Sequence, residues 1–355
     1  MPLRVPFETS FARETDKECL LVRLFGEGLQ GWGEVVAMRE PLYNEETLDT
    51  CWHILQDILI PHTLRTHWSS PQEWFESVRH IRRNYMARAG LEAALWDLFA
   101  QCQNMSLARL WGGQRQSVEV GISLGIESGL ERLLPRVEDA LLEGYRRVKL
   151  KIKPGWDIEV VRAVRQRWPE LVLQVDANSA YRLEDSQHLA QLDEFNLLLI
   201  EQPLEHDDIV DHASLARRLK TPLCLDESID SIEQCRRALD LGSAEIINIK
   251  PGRVGGYAAA RTIHDHCQQR QIPCWVGGML ETGVGRLANL ALASLPNFTL
   301  PGDISASQRY FNRDIIDPEV VLEKDGTVRV PDQPGVGQWL DWKALDLYTR
   351  RLQSY

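Results

Sequence analysis

The sequence predicts an α/β fold built on a parallel barrel, and two observations carry that expectation. From Val118 onward, short β-branched or Leu-rich runs alternate with longer amphipathic stretches, the pattern of repeated βα units around a parallel sheet. Charged residues close successive runs at a nearly constant period: Lys151, Asp176, Glu201, Asp226 and Lys250 follow one another at intervals of 25, 25, 25 and 24 residues. The carboxyl ends of all strands in a parallel barrel open on one face, so these five side chains are expected to converge on one small volume.

The elements follow in order. An apolar run from Cys19 to Phe25 turns through Gly26 to Gly33, which predicts a strand hairpin, and helical periodicity follows from about Glu45 to Ile60. A stronger helix is expected over Tyr85 to Gln101, where Leu91, Leu95 and Leu98 recur at helical spacing, and the Trp111-Gly112-Gly113 loop follows it. Strands are predicted at Val118–Leu124, Arg147–Lys151, Val172–Val175, Leu197–Ile200, Leu223–Leu225, Glu245–Ile249 and Pro273–Val276, with a short eighth near Phe298–Leu300. Eight such elements in this compass are too compact for two Rossmann halves and suit a closed barrel. After Pro301, Asp325-Gly326 between two Val-rich runs reads as a hairpin, and the tail is expected to return to the N-terminal region.

Composition narrows the function classes. With 355 residues and 44% hydrophobic content the chain can bury one barrel-sized core and a smaller one. A net charge of -11 without any Lys/Arg-rich run argues against nucleic acid as a partner. The start, Met1 to Phe11, lacks the apolar core of a signal peptide, and no apolar stretch reaches the roughly 18 residues of a membrane span, so a cytoplasmic protein is expected. Seven cysteines form an odd set without a CxxC pair, which predicts reduced, mostly buried thiols.

Taken singly, an Asp or Glu that closes a strand is a loop cap or an ion pair. Three at one period are better explained as ligands, because carboxylates packed that closely repel unless something cationic sits among them. A hard divalent cation answers that need: it takes oxygen ligands and leaves positions for a substrate's own oxygens. Lysines flanking such a site suit abstraction of a proton alpha to a carboxylate, one with a lowered pKa acting as base while charge stabilises the developing enediolate. In Lys149-Leu150-Lys151-Ile152-Lys153, strand alternation turns the three lysines into the barrel mouth, and Lys153 is the outermost.

The segments VKLKIKPG (Val148–Gly155), VDAN (Val175–Asn178), IEQP (Ile200–Pro203), LDES (Leu225–Ser228), NIKPGRVGG (Asn248–Gly256) and GGMLETG (Gly277–Gly283) resemble the muconate lactonizing subgroup of the enolase superfamily. Within it they look most like the o-succinylbenzoate synthases that include N-succinylamino acid racemases. The resemblance implies a (β/α)7β TIM-like barrel, residues 116–304, covered by an α+β capping domain, residues 1–115, which a C-terminal segment, residues 305–355, completes. It implies Mg2+ as cofactor, with Mn2+ as a substitute, a small carboxylate substrate and a homo-oligomer. On the matching positions Asp176, Glu201 and Asp226 would bind metal, Lys151 would be the base and Lys149 would support the carboxylate. Lys250 would be the opposite acid/base in a racemisation or would stabilise the enediolate in the synthase.

The resemblance also implies pocket positions at Ser123, Asn178, Gly278, Met279 and Leu280, cap positions at Phe7, Met38 and Tyr43, and a comparable position at Tyr310. Without it these residues read as core or as apolar anchors. Arg253, three residues after Lys250, would tune that lysine or orient its loop, and a surface ion pair is the alternative reading. Two departures stand out: relatives usually carry a further strand before Pro2, and Glu8 stands where a related pattern has a basic residue, which would weaken attraction for a succinyl carboxylate.

The function implied is o-succinylbenzoate synthesis, a dehydration of 2-succinyl-6-hydroxy-2,4-cyclohexadiene-1-carboxylate in menaquinone biosynthesis. N-succinylamino acid racemisation is the alternative or second activity. Dipeptide epimerisation or cycloisomerisation, and a noncatalytic ligand-binding barrel, are the remaining readings. Retention of both lysines together with all three acids argues against the last.

Overall fold

The computed structural model describes residues 1–355. β1 (Pro2–Glu8) and β2 (Arg13–Asp16) pair antiparallel, as do β3 (Leu20–Gly26) and β4 (Leu29–Val35). Glu27 and Gly28 between β3 and β4 both have positive φ, 52° and 75°, the backbone that a two-residue hairpin turn needs to match strand twist. The hairpin lies directly on the helix Tyr85–Cys102. A Cβ on Gly33 would meet the Gly90 carbonyl at 2.0 Å, and one on Gly31 would meet that of Ala94 at 2.1 Å, so only glycine allows the approach. Buried over most of its length, this helix has no polar stripe. The helical stretch expected as one piece breaks into Leu48–Ile54, a π-helical turn over Leu55–Leu59, and Ile60–Arg65. Pro61 has no N–H to give, and the Ile60 N–H bonds back to Leu55 O across the wider turn.

Seven parallel strands make the central sheet in sequence order: β6 (Ile122–Leu124), β7 (Arg147–Lys151), β8 (Val172–Asp176), β9 (Ile200–Glu201), β10 (Leu223–Leu225), β11 (Ile246–Ile249) and β12 (Cys274–Val276). Two expectations are corrected at its edges. The predicted strand Val118–Leu124 is two strands, β5 (Ser117–Glu119) and β6, because the chain changes partners at Gly121, where a Cβ would strike the Arg147 guanidinium at 2.2 Å. The eighth element is no strand. Residues 298–303 run instead as a strap between the two edges: Thr299 N bonds to Cys274 O, Asp303 N to Val276 O, Gly121 N to Gly302 O and Gly302 N to Glu119 O. The sheet is closed by those bonds.

The turn at Asp325-Gly326 forms, with Gly326 N bonded to Glu323 O, but its second arm, β13 (Thr327–Arg329), pairs antiparallel with β5 rather than with Val320–Leu322. Beyond it the chain returns to its beginning. Arg4 N bonds to Tyr310 O at 2.8 Å, Val336 N to Asp97 Oδ1 at 2.8 Å, and the Trp342 ring meets Trp32 edge-on at 5.8 Å. The main apolar core joins the strands to the surrounding helices, and a separate one lies between β4 and the helices of the first hundred residues. All seven cysteines are free; Cys102 is exposed and Cys19 half-buried, the other five buried. No helix is long and apolar enough to cross a membrane.

Candidate active site

Strand register gathers the charged ladder. Lys151 on β7 is level with Asp176 on β8, and Asp176 with Glu201 on β9. Asp226 and Lys250 follow the last residues of β10 and β11. All five side chains are buried, as is Lys149, two residues below Lys151 on the same face. In a parallel sheet that face is the inside of the barrel mouth.

The lysines and acids interlock. Lys149 Nζ donates to Glu201 Oε2 at 2.9 Å and lies 3.1 Å from Asp176 Oδ2 and 2.5 Å from Asp303 Oδ2. Lys151 Nζ donates to Asp176 Oδ2 at 2.6 Å and to Asn178 Oδ1 at 2.7 Å. Across the mouth, Lys250 Nζ donates to Asp226 Oδ2 at 2.7 Å and to Tyr43 Oη at 3.3 Å. Lys153 is half-exposed and pairs with Glu8 at 3.5 Å, which draws the Glu8 carboxylate toward a cation.

Burial works against the ammoniums of Lys149 and Lys250, yet both are held above the ordinary lysine range. Asp303, Glu201 and Asp176 do this for Lys149; Tyr43, Glu227, Glu201 and Asp176 do it for Lys250. The surrounding acids and the Tyr43 phenol therefore outweigh burial at these two positions. Burial pushes the Glu201 carboxyl up and the Asp176 charge pushes it further, while Lys149 opposes both. For Asp176 the two lysines outweigh burial and hold the carboxyl below its usual range.

Arg253 is buried, which overturns the surface ion pair. Its Nη1 bonds to Asp226 Oδ1 and, at 3.2 Å, to Tyr43 Oη, while Nε reaches Ile229 O at 2.7 Å. Tyr43 thus crosses from the N-terminal part to the barrel, donating to Asp226 Oδ1 at 3.1 Å. Phe7 on β1 lies over Lys151, whose Nζ is 5.9 Å from its ring centroid. Met38 and Met279 both pack against the N-terminal core. Ser123 Oγ is 3.4 Å from Asp303 Oδ2, and Gly278 sits where a Cβ would strike Asp303 O at 2.7 Å. Leu280 has a φ of 56°, sparsely populated for a branched residue, and, like Phe7, packs against the small cluster of Leu3, Tyr310 and Phe311.

Several residues at the site escaped the sequence reading. Asp303, on the closing strap, pairs with Lys149 and, at 2.7 Å, with Arg147. Asn248 donates to Glu201 Oε1 at 2.7 Å, and Gln202 Oε1 accepts from Asp226 N at 3.0 Å. Glu227 Oε1 accepts from Asn178 Nδ2 at 2.8 Å. Lys17 reaches Met279 O at 2.9 Å, and Glu34 accepts from Thr282 and Gly285. Alternation alone could have found Asn248, two residues before Lys250; nothing local marks Lys17 or Glu34.

An ammonium takes an oxygen of each of Asp176, Glu201 and Asp226. As a donor set they are nonetheless oxygen-only, buried and anionic, which suits a hard divalent cation better than a soft one.

Residues 1–112 match the mandelate racemase / muconate lactonizing enzyme N-terminal domain, and residues 132–344 the enolase C-terminal domain-like family. This chain belongs to the enolase superfamily, in its muconate lactonizing subgroup. It is 50% identical over 351 residues to an o-succinylbenzoate synthase of Geobacillus stearothermophilus, covering 99% of this chain and 93% of the relative. It is 49% identical over 337 residues to an N-succinylamino acid racemase of Thermus thermophilus, covering 95% and 91%. A crystal structure of an enolase superfamily member from Listeria innocua superposes with a TM-score of 0.95 at 43% identity, covering 99% of this chain and 95% of that one. Like those relatives, the chain has the superfamily's barrel and N-terminal cap.

Proposed function

We propose that this chain is an o-succinylbenzoate synthase, dehydrating 2-succinyl-6-hydroxy-2,4-cyclohexadiene-1-carboxylate, with N-succinylamino acid racemisation as a second activity. The observation that carries the reading is the placement of Lys151 and Lys250 at opposite ends of one buried crescent of acids, supported by relatives of both names. Asp176, Glu201 and Asp226 would hold Mg2+, for which Mn2+ would substitute. When bound, the cation supplies positive charge to the substrate carboxylate as negative charge grows there.

The chain's own groups do the rest. Lys151 takes the proton alpha to the carboxylate, and Asn178 Oδ1 and Asp176 orient its Nζ. In the dehydration the same ammonium returns a proton to the departing hydroxyl on the same face, releasing water as the ring becomes aromatic. Lys250 stays protonated on the other side and contributes charge. In the racemisation Lys250 instead delivers a proton to the opposite face, and Arg253, buried against the shared Asp226, stands where it can set which proton state Lys250 holds. Lys149, locked among three carboxylates, keeps them assembled. The reading carries with it a cytoplasmic setting and a homo-oligomeric assembly.

Purified protein with Mg2+ is assayed for o-succinylbenzoate formation and for alpha-proton exchange of N-succinylamino acids in deuterated water, beside Lys151→Ala and Lys250→Ala. Exchange of both enantiomers, each needing a different lysine first, supports the bifunctional reading. Synthase turnover without exchange leaves a dedicated synthase, and absence of both activities refutes the substrate assignment.

A further inference from the structure

Arg309 follows the closing strap and reaches back over the barrel mouth. Its Nη2 donates to the Ser123 carbonyl at 2.7 Å, while its Nε is buried without a partner. The guanidinium lies 5.9 Å from the Phe7 ring centroid and 5.2 Å from that of Tyr310. Burial pulls its pKa below the ordinary value, and Tyr310, Tyr145 and Glu143 offset that only in part. The other cations of the mouth, Lys149, Lys151, Lys250 and Arg253, each have a carboxylate within bonding distance.

Lys151 Nζ is also 5.9 Å from the Phe7 centroid. One ring therefore has the proposed base beside it and a second cation beside it, and the two cannot be farther apart than twice that distance. Lys151 and Arg309 are thus close enough for one molecule with two charged groups several bonds apart to meet both. Both products named among the relatives are dicarboxylates, with a succinyl arm that puts the second carboxylate several bonds away from the first.

We propose that Arg309 is the specificity-determining residue for the distal carboxylate of the succinyl arm, its terminal Nη donors meeting the carboxylate oxygens. The inference rests on the function proposed above and names what in that site selects a dicarboxylate. A planar fork of donors suits a carboxylate better than a point charge does. The role also answers the change at position 8. Glu8 is paired with Lys153, and attraction for the succinyl arm comes from Arg309 on another segment.

The test compares alpha-proton exchange of N-succinylphenylalanine and N-butanoylphenylalanine, equal in chain length but differing in the distal carboxylate, by wild type, Arg309→Gln and Arg309→Lys. Losing a charge-assisted pair of hydrogen bonds should lower the succinyl-to-butanoyl ratio of kcat/KM by about 10- to 100-fold in Arg309→Gln, mainly through KM. Arg309→Lys should retain part of it. A ratio unchanged from wild type, with both substrates reduced alike, would make Arg309 a clamp for Ser123 and overturn the inference. Should Arg309→Gln fail to fold, wild-type inhibition by o-succinylbenzoate against its succinyl carboxamide decides: equal inhibition overturns the inference, and at least tenfold weaker inhibition by the amide supports it. Wild type inactive on every succinyl substrate refutes the function itself, an outcome visible before any variant is made.

Discussion

The Tyr43 hydroxyl, carried by the N-terminal part of the chain, donates to Asp226 Oδ1 at 3.1 Å and accepts from Lys250 and Arg253 at 3.3 and 3.2 Å. One phenol thus joins the cap to the side of the site that holds the second lysine. Tyr43→Phe keeps the packing and removes these three bonds, leaving Asp226 to Lys250 and Arg253. Racemisation is expected to fall about tenfold or more in kcat, and dehydration, which needs only charge from Lys250, to fall less. Parallel kinetics on the two substrates check the difference; equal losses would count against separate duties for the lysines.

Lys149 is surrounded by Asp176, Glu201 and Asp303, all within 3.1 Å. Lys149→Met removes the shared cation and leaves the buried Glu201 with no cationic partner, a change on the order of 3–5 kcal/mol. Thermal unfolding should show a Tm lower by roughly 10 °C. A variant as stable as the parent would mean that solvent or a bound cation neutralises those acids.

Chelation should abolish both activities, and added Mg2+ should raise Tm in the wild type while leaving Asp226→Asn nearly unmoved. Calorimetric titration with Mg2+ alone checks the ligand set without reference to turnover. Full-affinity binding by Asp226→Asn would remove Asp226 from it.

Glu34, Glu92 and Asp97 are each pushed up to about 7 by burial, against backbone N–H donors that favour the charged form. In the unfolded chain such groups titrate near 4. Between about pH 4.5 and 7 the folded state therefore holds protons that the unfolded state has released, so their contribution to stability is full at the acid end and is lost as pH rises through 7. Glu92→Gln should flatten the fall of Tm across that window relative to wild type. An unchanged slope would show that Glu92 is ionised throughout.

Gly33→Ala puts a methyl 2.0 Å from the Gly90 carbonyl, with backbone on both sides and nothing flexible to yield. A loss of at least about 3 kcal/mol is expected, beyond ordinary overpacking, and denaturant unfolding would measure it. Gly28→Ala, where no atom lies within 4 Å, should cost only its positive φ.

The barrel's reactive ends were legible because period and alternation report the same geometry twice. An apolar run names the strand, and the polar residue closing it names the rim, as at Lys151, Asp176 and Glu201. What was not legible depends on pairing between distant segments. Nothing near Val118 announces that Arg147 occupies the space beside Gly121, so one strand was expected where there are two. Residues 298–303 lack strand length, and their bonds go to both sheet edges, a relation no local pattern encodes. The same holds for Tyr43, which reads as an apolar anchor until Asp226 is placed against it. Arg253 read equally well as a surface charge because burial, not spacing, decides its partner.

The strap that closes the sheet also bears Asp303, the residue that takes both Arg147 and Lys149. Closing the ring and neutralising its charged interior are consequently one event. Until residues 298–303 are laid across the two edges, Lys149 has only the rim acids, and Arg147 points at an open seam. The seven sheet strands β6–β12 alone leave the cavity unfinished; the last turn of the barrel is also what makes it electrically tolerable.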